Sequence, residues 1–293
     1  MGVASVNLAW ERPARLCAGL LLFAYATTHF ISHATGLFLI DALQSVGRDI
    51  LLAPWRTPLG LFLLGAAFLL HAALGLKALY RRRTLRIPAI EMWQLGLGLA
   101  IPLLLIPHVT NARLGNLLFG LDDSYFRVLY LYWLTDPGGG LPRQFALMLA
   151  IWIHGCVGIH MALRFRAGYR RWAPALLAAA LAIPALAILG LTNAGWSLAI
   201  RAMQQPDFVA AYGAPAPNSP RADGAANVAW LAPRLQLAWI AIVAAILIAR
   251  FIRDRRERAR SVTVSYSGGR SVTAPRGFSI LEASRWNNVP HAS

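Results

Sequence analysis

Six long apolar stretches dominate this sequence, at about residues 16–40, 57–80, 91–111, 144–166, 173–198 and 232–252. A transmembrane helix needs about 20 predominantly apolar residues, so each stretch can cross a bilayer. The chain therefore reads as an all-α membrane protein of six transmembrane helices. Only 14% of the 293 residues are charged, against about 25% in an average soluble domain. That is too little polar surface for a soluble globule, and a water-soluble enzyme is excluded. The first stretch is too long for a signal peptide, lacks a small-residue cleavage site and holds two histidines, so it reads as a retained span.

The net charge of +16 acquires meaning from its placement. With the N-terminus inside, the inner segments hold twenty of the 28 basic residues, among them Lys77, Arg81–Arg83, Arg86 and the run from Arg253 to Arg260. This positive-inside bias predicts a multi-pass protein of the bacterial inner membrane with both termini cytoplasmic. The charge is thus accounted for by topology in a lipid bilayer, and no nucleic-acid partner is expected. Cys17 and Cys156 lie in apolar segments and form neither a disulfide framework nor a zinc site.

Three regions follow: a six-span domain over 1–252, a basic helical linker over 253–262, and a tail over 263–293. The outer loop 112–143 carries Tyr125, Tyr130, Tyr132 and Trp133, which suit a short amphipathic helix lying on the membrane interface. Residues 204–226 are rich in Pro, Ala and Asn and read as a loop. In the tail, VTVSYSGGRSVTAP alternates β-formers about a Gly-Gly turn, which predicts a hairpin, and GFSILEASRWN reads as the start of a helix. The tail ends before a domain is complete, so a longer protein is expected to continue it.

Six of the seven histidines lie in the first four spans: His29 and His33, His71, His108, and His154 with His160. Ionisable groups inside a bilayer are costly and point to function. A single such histidine is readily explained as an interhelical hydrogen bond, but six in four consecutive spans are not. His71 and His154 each have glycine four residues on, on the same helix face, where a side chain would strike a flat macrocycle. His29 with Gly36 and His108 with Gly115 share a spacing of seven, so spans one and two resemble spans three and four.

Counted from the inner ends at the helical rise, His71 lies roughly 13 Å deep and His154 roughly 15–18 Å, His29 about 21 Å and His108 about 25 Å. The result is two levels with two histidines each, as axial bis-histidine ligation of iron between bundle helices requires. The ligands expected are His71 with His154 and His29 with His108. His33 is an alternative to His29, and His160, nearer the inner surface, an alternative ligand or a quinone contact. Zinc would want a tight ligand set at one depth, and the absence of CxxCH excludes c-type attachment. Two b-type hemes remain. Candidate propionate or quinone contacts are Lys77, Arg81, Arg82 and Arg164 inside, and Arg113 and Arg127 outside. Each of these arginines is equally explained by topology. Glu91 with Trp93, and Asn111 or Asp122, are further candidates near a quinone.

With one histidine in each of four spans, the chain over roughly residues 14–200 resembles the two-heme cytochrome b anchor of succinate dehydrogenase and fumarate reductase. That resemblance assigns His71 and His154 to the inner heme and His29 and His108 to the outer one. A sixth span departs from the usual five. The tail, through GFSILEASRWNNVPHAS, resembles the opening of a plant-type 2Fe-2S ferredoxin domain. Without the cysteine loop that follows in that family, a 2Fe-2S cluster is expected only in a longer chain. The combination is similar to one group of bacterial class III adenylate cyclases. The resemblance implies a redox- or quinone-responsive sensor and anchor for a cyclase that lies outside these residues, so no catalytic residue is expected here. It also implies a homodimer, with the histidine-free fifth and sixth spans and Phe251–Ala259 available for contact. The alternatives are a membrane electron-transfer subunit linking quinol to a ferredoxin and flavin module, and a transporter using the histidines as a proton relay.

Overall fold

The computed structural model describes residues 10–290 except 86, 214 and 268. Arg86, counted above among the inner basic residues, lies outside that description, as do the ends of the six-span region and of the tail. Six helices are long and apolar enough to cross a membrane: α1 (Glu11–Ala34), α2 (Pro58–Arg81), α3 (Ala89–Val109), α4 (Gly140–Leu163), α5 (Tyr169–Gln204) and α6 (Pro220–Arg258). The chain is a multi-pass membrane protein.

Helix α1 packs along α2 and also touches α4, while α3 packs along α4. The two flanking helices take opposite sides. Helix α5 lies against α1 and α4, and α6 lies across α2 and α3. The α1–α5 crossing is close because it is made of small residues. A Cβ on Gly190 would strike the His33 carbonyl, and one on Gly36 would strike Gly190. Gly115 likewise faces the Thr110 carbonyl, Leu121 and Val228. Gly36 and Gly115 therefore serve close packing.

Proline inside a helix frees the carbonyl four residues back, and in a membrane that carbonyl must find another donor. Pro184 frees Ala180, whose carbonyl accepts from Trp152 Nε1 on α4 at 2.7 Å. Pro107 frees Leu103, whose carbonyl accepts from Gln236 Nε2 on α6 at 2.7 Å. Trp239 Nε1 adds a bond to the Leu99 carbonyl at 3.0 Å. The prolines thus mark where α4 and α6 dock onto their neighbours.

The outer connections are more helical than composition implied. Between α1 and α2 lie the helical segments Leu43–Leu51 and Ala53–Arg56, and between α3 and α4 lie Tyr125–Leu129 and Tyr130–Thr135. Tyr125, Leu129 and Tyr132 are buried, and Tyr125 and Leu129 join Phe30, Met148, Trp152 and Leu198 in the apolar core. The segment packs on the bundle through these side chains. Residues 204–226 hold a helix at Pro206–Tyr212 and the first turns of α6. Each begins with proline, whose fixed φ suits a helix start, and Ser219 caps α6 by accepting from the Ala222 N–H.

Helix α6 runs on to Arg258. There follow strand β1 (Ser261–Ser265), antiparallel to β2 (Ser271–Pro275) with Thr263 opposite Thr273, and helix α7 (Ile280–Trp286). A capping box between Ser279 and Glu282 starts α7. The hairpin and helix read from the tail are both present.

Candidate functional site

Helices α1 to α4 bring four of the six span histidines together as two pairs. The His71 and His154 ring centres are 6.0 Å apart, with the rings nearly perpendicular at 82°. The His29 and His108 ring centres are also 6.0 Å apart, at 65°. Two imidazoles on opposite sides of one metal ion would stand about 6.2 Å apart, from a metal–nitrogen bond of about 2.0 Å and about 1.1 Å from ring centre to nitrogen on each side. Both pairs meet that spacing.

The inner pair is docked by a repeated device. His71 Nδ1 donates to the Arg15 carbonyl at 3.0 Å, and His154 Nδ1 donates to the Gln94 carbonyl at 3.2 Å. Four residues beyond each acceptor stands a glycine. A Cβ on Gly19 would lie 2.9 Å from the His71 ring, and one on Gly98 3.0 Å from the His154 ring. Each glycine lets an imidazole lie flat on the neighbouring helix and reach its backbone. Donation from Nδ1 fixes the tautomer and leaves Nε2 with its lone pair, the state in which histidine binds a metal. The Gln94 amide nitrogen stands 3.5 Å from His154 Nε2 and bonds instead to the His154 carbonyl at 3.0 Å. At the first distance its hold on the lone pair is weak.

The outer pair is more enclosed. His108 Nδ1 donates to Gln144 Oε1 at 3.1 Å, again leaving Nε2. His29 stacks on Tyr25 with centres 5.4 Å apart, and neither of its nitrogens has a partner although both are buried. A buried polar atom left unsatisfied costs about 1–3 kcal/mol, so His29 is placed where a ligand bond would satisfy it. His33 sits one turn further out, 4.4 Å from the His29 ring and 5.5 Å from that of Tyr125, and its nitrogens are also buried without partners. Of the two, His29 is the one whose ring faces His108 at pair distance. His33 and His108 both line a narrow cavity of about 30 Å³ that Tyr132 and Gln144 help to close.

Gly19 precedes His29 by ten residues, and Gly98 precedes His108 by ten. Ten residues of helix separate the two levels by about 15 Å. Spans one and three thus share an acceptor carbonyl, a glycine four residues on and a histidine ten beyond that, while spans two and four share His-x3-Gly. The docking contacts thus repeat between the two helix pairs, with a Gly-to-His spacing of ten in spans one and three beside the His-to-Gly spacing of seven. The two glycines were visible in the sequence as a common Gly-x9-His, a signal that histidine-to-glycine counting in one direction misses.

Among the described residues, no group of three or more His, Cys, Asp or Glu side chains is arranged to hold a metal ion. Two histidines per level supply two ligands, so an ion held there needs its remaining donors from something it brings with it. A macrocycle with four nitrogens meets that need. Gly75, on the His71 face of α2, has nothing within 4 Å of a would-be Cβ, which leaves room beside that ring. The two-histidine donor sets, the free Nε2 of His71, His154 and His108 and the open space at Gly75 suit a heme, while Gly158 has the Gln94 amide 3.3 Å from a would-be Cβ.

The remaining candidates are engaged elsewhere. His160 Nδ1 bonds the Tyr169 hydroxyl at 2.8 Å, away from both pairs. Lys77 and Arg81 both pair with Glu11 at 2.9 Å, and Arg82 pairs with Glu91 at 3.1 Å. Arg164 stacks on its neighbour Phe165. Arg127 is buried and donates to the carbonyls of Asn111 and Asp122 at 2.7 and 3.0 Å. Arg113 pairs with Asp123 at 3.1 Å. Asn111 donates to the Pro107 carbonyl, Asp122 accepts from the Ser124 N–H, and Trp93 is exposed. No known protein family, curated protein or solved structure gives a match to this chain.

Proposed function

We propose that this chain is a di-heme b-type cytochrome membrane domain that acts as a redox- and quinone-responsive sensor and as the anchor of an adenylate cyclase. The observation that carries the reading is the pair of crossed histidine couples, each drawn from two helices. His71 and His154 form one, and His29 and His108 the other, 6.0 Å apart in both cases. When bound, heme supplies reversible one-electron chemistry. The chain's own residues do the rest. His71 and His154 offer Nε2 while the Arg15 and Gln94 carbonyls hold their Nδ1 protons, which raises imidazole basicity and fixes ring orientation. Gln144 does the same for His108. The two levels, about 15 Å apart along the helices, span much of an apolar core of about 30 Å, and that spacing suits electron exchange between a quinone pool and the cytoplasmic side.

The sensor reading draws support from α6. Its cytoplasmic end is bonded to the end of α2, the helix that carries His71, through Arg250 Nε donating to the Arg82 carbonyl at 2.8 Å. A helix continuous from the bilayer to the tail is suited to carry a change of packing outward. The opposite placement of α5 and α6 leaves each with a lipid-facing side for the homodimer that a two-domain cyclase site requires. The bacterial inner membrane, with cytoplasmic termini, is the location that the basic residues favour.

A pyridine hemochrome assay on purified protein is expected to give close to two hemes per chain. His71→Ala or His154→Ala should remove one, His29→Ala or His108→Ala the other, and His160→Ala neither. Anaerobic quinol should reduce the bound heme. A folded but colourless protein would refute the reading.

A further inference from the structure

The outer face holds a cluster that the histidine pairs do not use. Arg48 Nη2, Arg56 Nη2 and Arg113 Nη1 all converge on the carboxylate of Asp123, at 2.6, 2.8 and 3.1 Å. Asp123 is nearly closed off, its side chain 4% exposed, while the side chains of Arg48 and Arg56 keep 21% and 26% of their surface. The four residues come from both outer connections, Arg48 and Arg56 between α1 and α2 and Arg113 and Asp123 between α3 and α4. Burial opposes ionisation of Asp123, but hydrogen bonds from Arg48 and Arg56 outweigh it and hold its pKa below the ordinary carboxylate value. The anion is therefore present throughout the physiological range.

One more acidic group belongs to the cluster, Asp49, which takes the other arm of Arg48 at 2.5 Å. Three guanidiniums thus face two carboxylates, and one positive charge is left over. Donors are in excess as well. The Nε atoms of Arg48 and Arg113 are buried with no acceptor, in guanidinium forks whose geometry matches an oxyanion. Against Arg48 and Arg56 opens a cleft of about 250 Å³, walled by Asp49, Ala53 and Thr57.

We propose that Arg48 and Arg56, held beside Arg113 by Asp123, form a binding site for a phosphate or carboxylate oxyanion on the outer side. Asp123 acts as the built-in counterion that holds the guanidiniums together and keeps those of Arg48 and Arg56 at the wall of the cleft. The same chemistry has two sources. One is the phosphate of an outer-leaflet lipid, toward which the exposed Ile50 and Leu59 direct an acyl chain. The other is a free small anion. The site is independent of the histidine pairs, so its failure and that of the heme reading are separable.

The test follows the thermal unfolding midpoint and calorimetric binding of the whole protein in two settings. In neutral detergent, inorganic phosphate or malonate is titrated at constant ionic strength, with chloride as the control. In nanodiscs, phosphatidylcholine alone is compared with phosphatidylcholine plus phosphatidylglycerol. Stabilisation by free phosphate or malonate supports the site with a soluble ligand, and stabilisation only by phosphatidylglycerol supports it with a lipid. In either case Arg56→Gln should weaken the response roughly ten- to a hundredfold, the loss of a charged hydrogen bond. Arg56→Lys, which keeps the charge and loses the fork, should fall between the two proteins. The proposal is overturned if chloride matches every anion, or if Arg48→Gln and Arg56→Gln respond like the parent. It is also overturned if those variants lose one heme while no anion binds the parent, since the arginines would then serve the propionates.

Discussion

At the residue scale, the most consequential side chains after the histidines are ones that are absent. Gly19 and Gly98 are where the His71 and His154 rings rest. Replacing either with leucine drives a branched side chain into an imidazole and pulls its Nδ1 off the Arg15 or Gln94 carbonyl. Under the proposed function, Gly19→Leu or Gly98→Leu should therefore abolish heme binding at the His71–His154 level and spare the His29–His108 level, read as a halved hemochrome yield with folding intact by circular dichroism. Ala at either site should retain most of it. The four ligand candidates were legible in the sequence because a histidine in a bilayer is conspicuous, and depth alone sorted them into levels. The glycines stood in the sequence as a shared Gly-x9-His, but their role was not legible, because a glycine acts here through another helix and sequence shows only its own. Asp123 was invisible for the same reason, since its three arginine partners lie up to 75 positions away. With a folded pKa below the unfolded one, Asp123 contributes stability that is complete above the unfolded value near 3.9 and is lost as pH falls through the lower folded value. Asp123→Asn should cost about 3 kcal/mol at neutral pH by leaving three cations facing one another. It should also flatten the acid limb of thermal stability measured between neutral pH and the carboxylate range.

At the element scale, the length of the apolar stretches located all six spans, but their ends moved. Helices α5 and α6 extend past the apolar stretches because polar residues can remain helical where they leave the bilayer or pack on protein. Composition read residues 204–226 as a loop, whereas Pro206 and Pro220 each stand at a helix start, where a missing N–H costs nothing. Inside the spans the prolines have the opposite meaning. Pro184 and Pro107 free the carbonyls of Ala180 and Leu103, and Trp152 and Gln236 bond them from the helices alongside. Such interhelical bonds in membranes average about 0.6 kcal/mol and reach about 1.7. These two should stand near the upper figure, because the acceptor has no intrahelical donor to return to. Trp152→Phe and Gln236→Leu should each lower stability by about 1–2 kcal/mol in detergent unfolding. Restoring the missing N–H with Pro184→Ala should reduce the cost of Trp152→Phe, as a double-mutant cycle would show. Equal costs in both backgrounds would mean that tryptophan packing, not the freed carbonyl, sets the loss.

At the scale of the whole molecule, the question is how an event at His71 reaches the tail. Helix α6 is continuous over 39 residues from Pro220 to Arg258, about 58 Å of helix, and its inner end is clasped to α2. Arg250 and Arg253 both donate to the Arg82 carbonyl, at 2.8 and 3.1 Å, and Arg253 also reaches the Tyr80 carbonyl. Asp254 steadies both arginines, and Arg83 pairs with Glu257. Arg82 closes α2 eleven residues after His71, so a displacement of that histidine's helix arrives at the carbonyl that α6 holds. The strand that follows α6 begins three residues beyond Arg258, and the turn after β2 lies against Arg83, where a Cβ on Gly277 would stand 2.8 Å from the guanidinium. The tail is thus held by the same inner corner as the helix. A packing change can be transmitted only if one state of the bundle is favoured over the other by the bound group, and couplings of this kind are worth about 1–3 kcal/mol, about 5- to 150-fold. Removing the clasp with Arg250→Ala and Arg253→Ala together should leave the heme spectrum and yield unchanged, because neither arginine approaches a histidine pair. It should also raise amide hydrogen exchange at residues 80–84 and 250–258, and erase the difference in exchange at 261–275 between oxidised and reduced protein. Under the proposed function, the ratio of cyclase activities in the two heme states should collapse toward one. A double variant whose tail still answers reduction as the parent does would place the route elsewhere, through α5 or through a partner chain, and would leave the arginines as anchors for the inner end of α6.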